Sequence, residues 1–261
     1  MHQSAITQAV ATFKDARSTM QPIEALEATC RPANMDEGYA IQDAFIAEFA
    51  RPVIGWKVGA TNQAALELFG IDQPFLGPIF EGTIYTAPVE LPAADFHHCC
   101  VESEFAFRIA RDLPAPDGQI STEAVRAAVA EVIPAFELIS PRFTSVPKGD
   151  GPSAVADCGI GGGLVIGAPH PGLDGLDLVN HAVSLAVDGE TIAEGTGALV
   201  MGDPIEALAW TARKLGAQGK QLRAGDFVTT GTCTGVQFVE PGKLCRADFG
   251  ALGSVEVKFT T

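Results

Sequence analysis

The sequence predicts an α+β protein: a β-rich core, a helical N-terminal part, and two or three further helices packed on it. Three observations carry this. Apolar residues recur at helical spacing in the first fifty positions, while strand-like runs separated by turn signals dominate the remainder. Strands and helices do not alternate regularly, which argues against a doubly wound sheet. The chain has 261 residues, 47% hydrophobic and 19% charged, enough to bury a sizeable core and too apolar for wholesale disorder.

Taken in order, Ile6, Val10 and Phe13 form one amphipathic stripe, and Tyr39, Ile41, Phe45, Ile46 and Phe49 form another. Arg31-Pro32-Ala33-Asn34 breaks between them, and Asn34 with Glu37 three residues later suits a helix cap. Ile54 to Gly59 reads as a short strand bounded by glycine. Residues 74–98, rich in Pro, Gly and aromatics, suit a loop followed by an edge strand. Val101 to Ile109 alternates as a strand does, and Asp112 to Gln119 is a turn region. Ser121 predicts a capped helix from about Thr122 to Ile133, closed by Pro134. Asp203-Pro204-Ile205-Glu206 starts another, with the stripe Ile205, Leu208, Ala209, Ala212, Leu215 and Gly216 as its stop. Strands are expected at 164–166, 183–187, 227–230, 236–239 and 255–259, with turns at Asp188-Gly189 and Glu240-Pro241-Gly242. There is no internal repeat. The expected division is an N-terminal α/β part, 1–85, packed on a core, 86–261; the whole also reads as one domain.

A formal charge of −15 opposes phosphate backbones and anionic membrane surfaces, so nucleic acid and membrane are not expected partners. A small carboxylate remains compatible if a metal or a few cations line its pocket. Six cysteines without a C-x-x-C pair suggest neither a zinc ribbon nor a disulfide framework. The N-terminus lacks a basic region followed by an apolar core, and no apolar run reaches membrane-spanning length. The expectation is a cytoplasmic protein with reduced thiols.

Three acids stand out. On the strand containing Val101-Glu102-Ser103-Glu104-Phe105, Glu102 and Glu104 share one face about 7 Å apart, close enough to grip one cation. Glu137 stands alone in the apolar run from Val132 to Ile139, where an unpaired charge is costly. A charged strand face plus one snorkelling acid gives the same pattern as a three-carboxylate site for a hard divalent metal. Lys57, in Gly55-Trp56-Lys57-Val58-Gly59, suits either a half-buried substrate-binding lysine or an edge-strand lysine in water. Asp157 could orient a water or a lysine, or cap a turn. Gly159-Ile160-Gly161-Gly162-Gly163 lacks the ending of a phosphate loop and suits close packing or a substrate loop instead. Thr229 to Gly235 places hydroxyls and glycines at a strand end, where Thr232 could bind a carboxylate or enolate oxygen; an ordinary threonine-rich turn is the alternative. Cys233 lacks a sequence-local base. His97 and His98 point to opposite strand faces, so at most one could face the acids.

Gly55-Trp56-Lys57-Val58-Gly59, Glu102-x-Glu104-x-Ala106-Phe107, Glu137 in its apolar run, and Gly225-Asp226 with Thr230-Gly231-Thr232 together resemble the 2-keto-4-pentenoate hydratase / oxalocrotonate decarboxylase family of the fumarylacetoacetate hydrolase superfamily. Gly38-Tyr39-Ala40-Ile41-Gln42, Ala207-Leu208-Ala209-Trp210 and Ala247-Asp248-Phe249-Gly250 extend the likeness from about residue 36 to 259. The resemblance implies a mixed β-roll core of the fumarylacetoacetate hydrolase C-terminal type with flanking helices, in a homo-oligomer. It implies Glu102, Glu104 and Glu137 as ligands of Mg²⁺ or Mn²⁺, and Lys57 as the active-site lysine, with Asp157 and Thr232 as second-rank candidates. Two departures concern the far end of the pocket. Phe75 and Leu76 stand where hydratases of this type often carry an acid, and Cys158-Gly159-Ile160-Gly161 where they tend to have Asn and Ser.

The expected activity is hydration of a short unsaturated 2-oxo (2-hydroxydienoic) acid to a 4-hydroxy-2-oxo acid, in the catabolism of aromatic compounds. The alternatives are decarboxylation of a 2-oxo-3-ene dicarboxylate, C–C hydrolysis of an acylpyruvate, or a weakly catalytic subunit that pairs with a related enzyme.

Overall fold

The structure, a computed structural model, describes residues 1–261. Two helices lead, α1 (Gln3–Thr19) and α2 (Met35–Glu48), followed by β1 (Val53–Gly59), α3 (Gln63–Phe69), β2 (Phe75–Phe80), β3 (Ile84–Thr86) and β4 (Val89–Pro92). The middle holds β5 (Cys100–Ile109), α4 (Thr122–Arg126), β6 (Val129–Ile139), α5 (Gly151–Ala156), β7 (Gly161–Ile166) and β8 (His170–Pro171). The last third holds β9 (Ala182–Val187), β10 (Glu190–Thr196), α6 (Pro204–Ala217), β11 (Phe227–Thr232), β12 (Gln237–Phe238), β13 (Leu244–Asp248) and β14 (Ser254–Thr260).

The strands form two mixed sheets. One runs β2-β1-β11-β5-β6-β7-β3, with β12 added to β5 and β8 to β6; the other runs β10-β9-β13-β14-β4. The first curls into a half-barrel, bringing β2 against β7 without a ladder between them. This is the expected α+β architecture. Strands from before residue 85 share this sheet with strands from after it, so the N-terminal part and the core are joined through one sheet.

Strand alternation divides the residues of the curled sheet between two faces. Val101, Phe105 and Phe107 of β5, Phe136 of β6 and Val228 of β11 point outward into the main apolar core, shared with α6 and the second sheet. The concave face is apolar at one end, where Ile79, Ala106, Ile133, Ala135 and Leu164 cluster, and carries the acids at the other. The helices α1 and α2 form a separate apolar cluster that includes Val10, Phe13, Ile41, Phe45 and Phe80.

Both N-terminal helices, the Asn34 cap and the start of α6 follow the sequence reading: Asn34 accepts the Glu37 N–H at 3.0 Å and Asp203 accepts the Ile205 N–H at 2.8 Å. Asp188-Gly189 is the expected hairpin turn between β9 and β10. The expected helix over 122–133 is corrected. It ends after Arg126, and Val129 to Ile139 is a strand paired with β5. Pro134 does not end a helix; it lies inside the strand. Its carbonyl accepts from Gly167 N–H on the side away from β5, where β6 passes from β8 to β7, so the ladder misses no donor there. Residues 75–80 are likewise a fully buried strand rather than a loop. Gly77 is needed there because a Cβ would sit 2.4 Å from the Cys158 carbonyl oxygen.

Gly216 is not a stop signal but the last-turn contact of α6, where a Cβ would lie 1.9 Å from the Ala115 carbonyl oxygen. This gives a prediction with a definite sign. Helix propensity alone makes Gly→Ala stabilising by about 1 kcal/mol. Overpacking against Ala115 should instead make Gly216→Ala destabilising by about 1–3 kcal/mol, measured by urea unfolding.

Candidate metal centre and active site

Four strands place the site by register. Glu102 of β5 stands directly opposite Glu137 of β6, and Glu104 stands between Ala135 of β6 and Thr232 of β11. Lys57 of β1 pairs with Thr229 of β11, which pairs in turn with Ala106 of β5. Directly paired residues point to the same face. Glu102, Glu104, Glu137, Thr229 and Lys57 therefore converge on the concave surface from segments far apart in sequence. One carboxylate oxygen from each acid lies within 4.8 Å of the others. The Lys57 ammonium is 2.9 Å from Glu137 Oε1, with both side chains under 5% exposed.

A bulge in β11 holds Glu104. The β11–β5 register slips between Thr229 and Thr232, while the Thr230 hydroxyl donates to the Phe105 carbonyl and Cys233 N–H to the Ser103 carbonyl. The slip turns Gly231 N–H onto Glu104 Oε2 at 2.8 Å. Only glycine fits here: φ is +103° and a Cβ would overlap the Thr61 hydroxyl. Glu104 Oε1 has no protein partner, as a carboxylate oxygen reserved for a cation should not.

Burial is the largest influence on each of these four groups. Burial pushes the Glu102 carboxyl up to about 7, and the neighbouring Glu137 adds to it against the pull of Lys57. Burial, then Glu137 and Glu102, hold Glu104 well above the carboxylate range. Glu137 is also raised by burial, although Lys57 opposes the shift. Burial pulls Lys57 down, yet the attraction of Glu137, Glu102 and Glu104 outweighs it and the net shift is upward. Buried Glu104 and Glu137, with Glu102 half-buried at the cavity wall, share one lysine and make an oxygen-rich set short of positive charge, the donor chemistry of a hard divalent cation.

A cavity of about 470 Å³ opens onto this group, with Lys57 and Glu102 in its lining and apolar walls that include Phe69, Phe75, Ile139 and Ile160. The Phe75 ring centre lies 5.4 Å from Lys57 Nζ and fills the space that a Cβ on Gly59 would need. Ile160 closes the wall from a left-handed backbone, φ +57°, following Cys158 and Gly159 in the same region. That conformation is unfavourable for a β-branched residue and must be held by its surroundings. Ile160 N–H donates to the Asp157 carbonyl, and its own carbonyl accepts from Ser140 N–H.

The structure brings Lys57, Glu102, Glu104 and Glu137 together and places Asp157 elsewhere. Asp157 Oδ1 accepts from Arg142 Nε and Oδ2 from Arg142 N–H, while the guanidinium also donates to the Asp157 and Gly161 carbonyls. Asp157 thus braces the turn carrying Ile160. Thr232 is 8% exposed opposite Glu104, with its hydroxyl accepting Thr234 N–H. The histidines pack: His97 Nε2 lies 3.0 Å from the Ala16 carbonyl and His98 Nε2 3.0 Å from that of Phe143. Cys233 is buried, and burial holds its thiol far above the usual range, as an inert thiol requires. Arg142 escaped the sequence reading because it sits in a loop without periodicity. Thr229 was visible only as one hydroxyl in a threonine-rich run.

The family model of the fumarylacetoacetate (FAA) hydrolase C-terminal domain matches residues 59–260, and the chain belongs to that family. Among relatives, the 2-keto-4-pentenoate hydratase of Paraburkholderia xenovorans is 30% identical over 257 residues, covering 97% of this chain and 94% of that one. A 4-oxalocrotonate decarboxylase from Pseudomonas sp. is 30% identical over 207 residues, 79% of this chain and 78% of its own. The structure of 4-oxalocrotonate decarboxylase from Pseudomonas putida G7, complexed with magnesium and adipate, superposes with a TM-score of 0.91 at 24% identity over 99% of this chain and 98% of that one, a likeness of fold. No helix is long and apolar enough to cross a membrane.

The raised acids predict a pH dependence. With Glu102 at about 7 in the folded protein and about 4.3 unfolded, the native state holds a proton that the unfolded state has lost. In chelator, stability should therefore fall as pH rises from about 4.3 through about 7. Glu102→Gln should flatten that slope, read as melting temperature against pH in chelator.

Proposed function

We propose that the protein is a metal-dependent hydratase. It adds water to a short unsaturated 2-oxo acid, equivalently its 2-hydroxydienoic tautomer, to give a 4-hydroxy-2-oxo acid in the catabolism of aromatic compounds. The observation that carries this reading is the convergence of Glu102, Glu104, Glu137 and buried Lys57 at one end of an apolar cavity. The hydratase relatives, matched over nearly their full length, agree with it.

Glu102, Glu104 and Glu137 would hold Mg²⁺ or Mn²⁺, and the bound ion supplies Lewis-acid charge to the carboxylate and 2-oxo oxygens of such an acid. Lys57, fixed by Glu137, presents a buried cation to the same oxygens and moves a proton when the enol becomes the ketone. Phe75, Ile139 and Ile160 enclose the hydrocarbon end and exclude bulk solvent from it. Thr232 positions the bulge that feeds Gly231 N–H to Glu104. Asp157 acts through Arg142 on the Ile160 turn rather than on substrate. Assembly as a homo-oligomer completes the proposal, and exposed Phe238, Leu199 and Ile192 support it.

Decarboxylation of a 2-oxo-3-ene dicarboxylate is the second reading. Lys148, an exposed cation in the cavity lining, favours it because a second carboxylate would need such a partner.

Product analysis on purified protein with Mg²⁺ or Mn²⁺ tests the choice. The account expects a 4-hydroxy-2-oxo acid from a five- or six-carbon monocarboxylate substrate; CO₂ from a dicarboxylate would install the second reading. Glu104→Gln should lower kcat/KM by on the order of 100-fold or more with the fold intact by circular dichroism. Full wild-type activity in excess chelator would remove the metal from the mechanism.

A further inference from the structure

A second, much smaller chamber lies inside the curled sheet, at the seam where β2 and β7 approach without pairing. Its volume is about 30 Å³, and its lining includes Lys57, Glu137, Thr229, Arg17, Ile79 and Leu164, with the glycines 161–163 along one side. That is room for about two water molecules. Lys57 also borders the large cavity, so the Lys57–Glu137 pair forms part of the partition between the two spaces. At its other end the chamber shares Arg17, Thr83 and Gly162 with a solvent-facing pocket of about 540 Å³.

The chamber gathers unpartnered polar atoms. Thr229, wholly buried, has a hydroxyl beside Glu137 but no hydrogen bond of normal geometry, and Arg17 Nε is buried with none. The Glu137 carboxylate meets the Lys57 ammonium and lies beside the Glu104 carboxyl and the Thr229 hydroxyl. The Arg17 guanidinium lies against aromatic rings, its central carbon 5.1 Å from the Phe45 ring centre and 5.8 Å from that of Phe49, with the Cys158 side chain and the Asp157 carboxylate also nearby. Buried polar atoms rarely stay unpaired, and a polar space of this size with donors and acceptors on several sides is what an ordered water needs.

We propose that the seam chamber is a built water site, holding one or two ordered waters between Thr229, Glu137 and Arg17, and that it gives solvent a rear route to Lys57 while substrate fills the front cavity. Hydration consumes one water per turnover. Once the 2-hydroxydienoic acid has ketonised by moving its enol proton to C5, water adds across the C3–C4 double bond, its hydrogen ending on C3 and its hydroxyl on C4. The apolar front walls keep bulk water out once substrate is bound, so a connection to solvent on the other side of Lys57 keeps the site supplied. The use made of the route rests on the proposed hydratase reaction; the water site itself does not.

A crystal structure of the wild-type protein with Mg²⁺ at about 1.8 Å or better should show water within about 3.2 Å of Thr229 Oγ. A dry chamber, or one filled by a displaced side chain, overturns the inference. Thr229→Val should lower kcat about tenfold while KM and Mg²⁺ affinity change less than about twofold, and Thr229→Ser should restore kcat. Arg17→Met, which keeps the packing on Phe45 and Phe49, should move kcat alone in the same direction. Unchanged kcat in both Thr229→Val and Arg17→Met, or losses that fall on KM or metal affinity, would overturn the rear route. An ordered water in a protein inert toward every 2-oxo acid would support the water site and overturn the hydratase reading together with the rear supply.

Discussion

Three carboxylates within 4.8 Å of one another on the concave face of a sheet, two buried and Glu102 half-buried, repel each other, and much of the surrounding structure exists to hold them there. Strand pairing fixes Glu102 against Glu137, so neither can retreat to solvent without breaking the β5–β6 ladder. The β11 bulge gives Glu104 a backbone N–H, and Lys57 gives Glu137 an ammonium. One lysine against three acids leaves the cluster short of positive charge. Burial raises all three acids, mutual repulsion adds to it for Glu102 and Glu104, and a divalent cation would relieve both.

The second constraint is the wall of the pocket. Arg142 and Asp157 form a buried ion pair whose hydrogen bonds extend to the backbone of residues 157 and 161, on either side of the left-handed turn. Breaking one partner of such a pair leaves an uncompensated buried charge, which is strongly destabilising. The pair therefore sets where Ile160 stands, and Ile160 with Phe75 sets the apolar character of the cavity. An aspartate that the sequence offered as catalytic shapes the site from behind.

Much of the site was legible because strand geometry is periodic. Alternation alone put Glu102 and Glu104 on one face, and an acid in an apolar run marked Glu137 as needing a partner. Joining them required the β5–β6 register, which no local pattern encodes, so resemblance to a family supplied it. The helix expected to Ile133 failed because Ser121 and Glu123 are true start signals whose reach was overestimated; β-branched Val129, Val132 and Ile133 belong to the strand, and Pro134 is tolerated at a gap in the ladder. The strand β13 was missed because its buried side chains, Cys245 and Ala247, are small and give a weak alternation. Arg142 and the seam chamber depend on packing between distant segments, which sequence spacing does not record.

The central claim is that these acids form one divalent-cation site whose occupancy is tied to proton release. Titration calorimetry of Mn²⁺ into the chelator-treated protein at about pH 6.5, in buffers of different ionisation enthalpy, tests it most directly. The account predicts one ion per chain and release of protons on binding, since the raised carboxyls must ionise to ligate, with both effects lost in Glu104→Gln. Binding that is absent, that releases no protons, or that survives Glu104→Gln unchanged would contradict it.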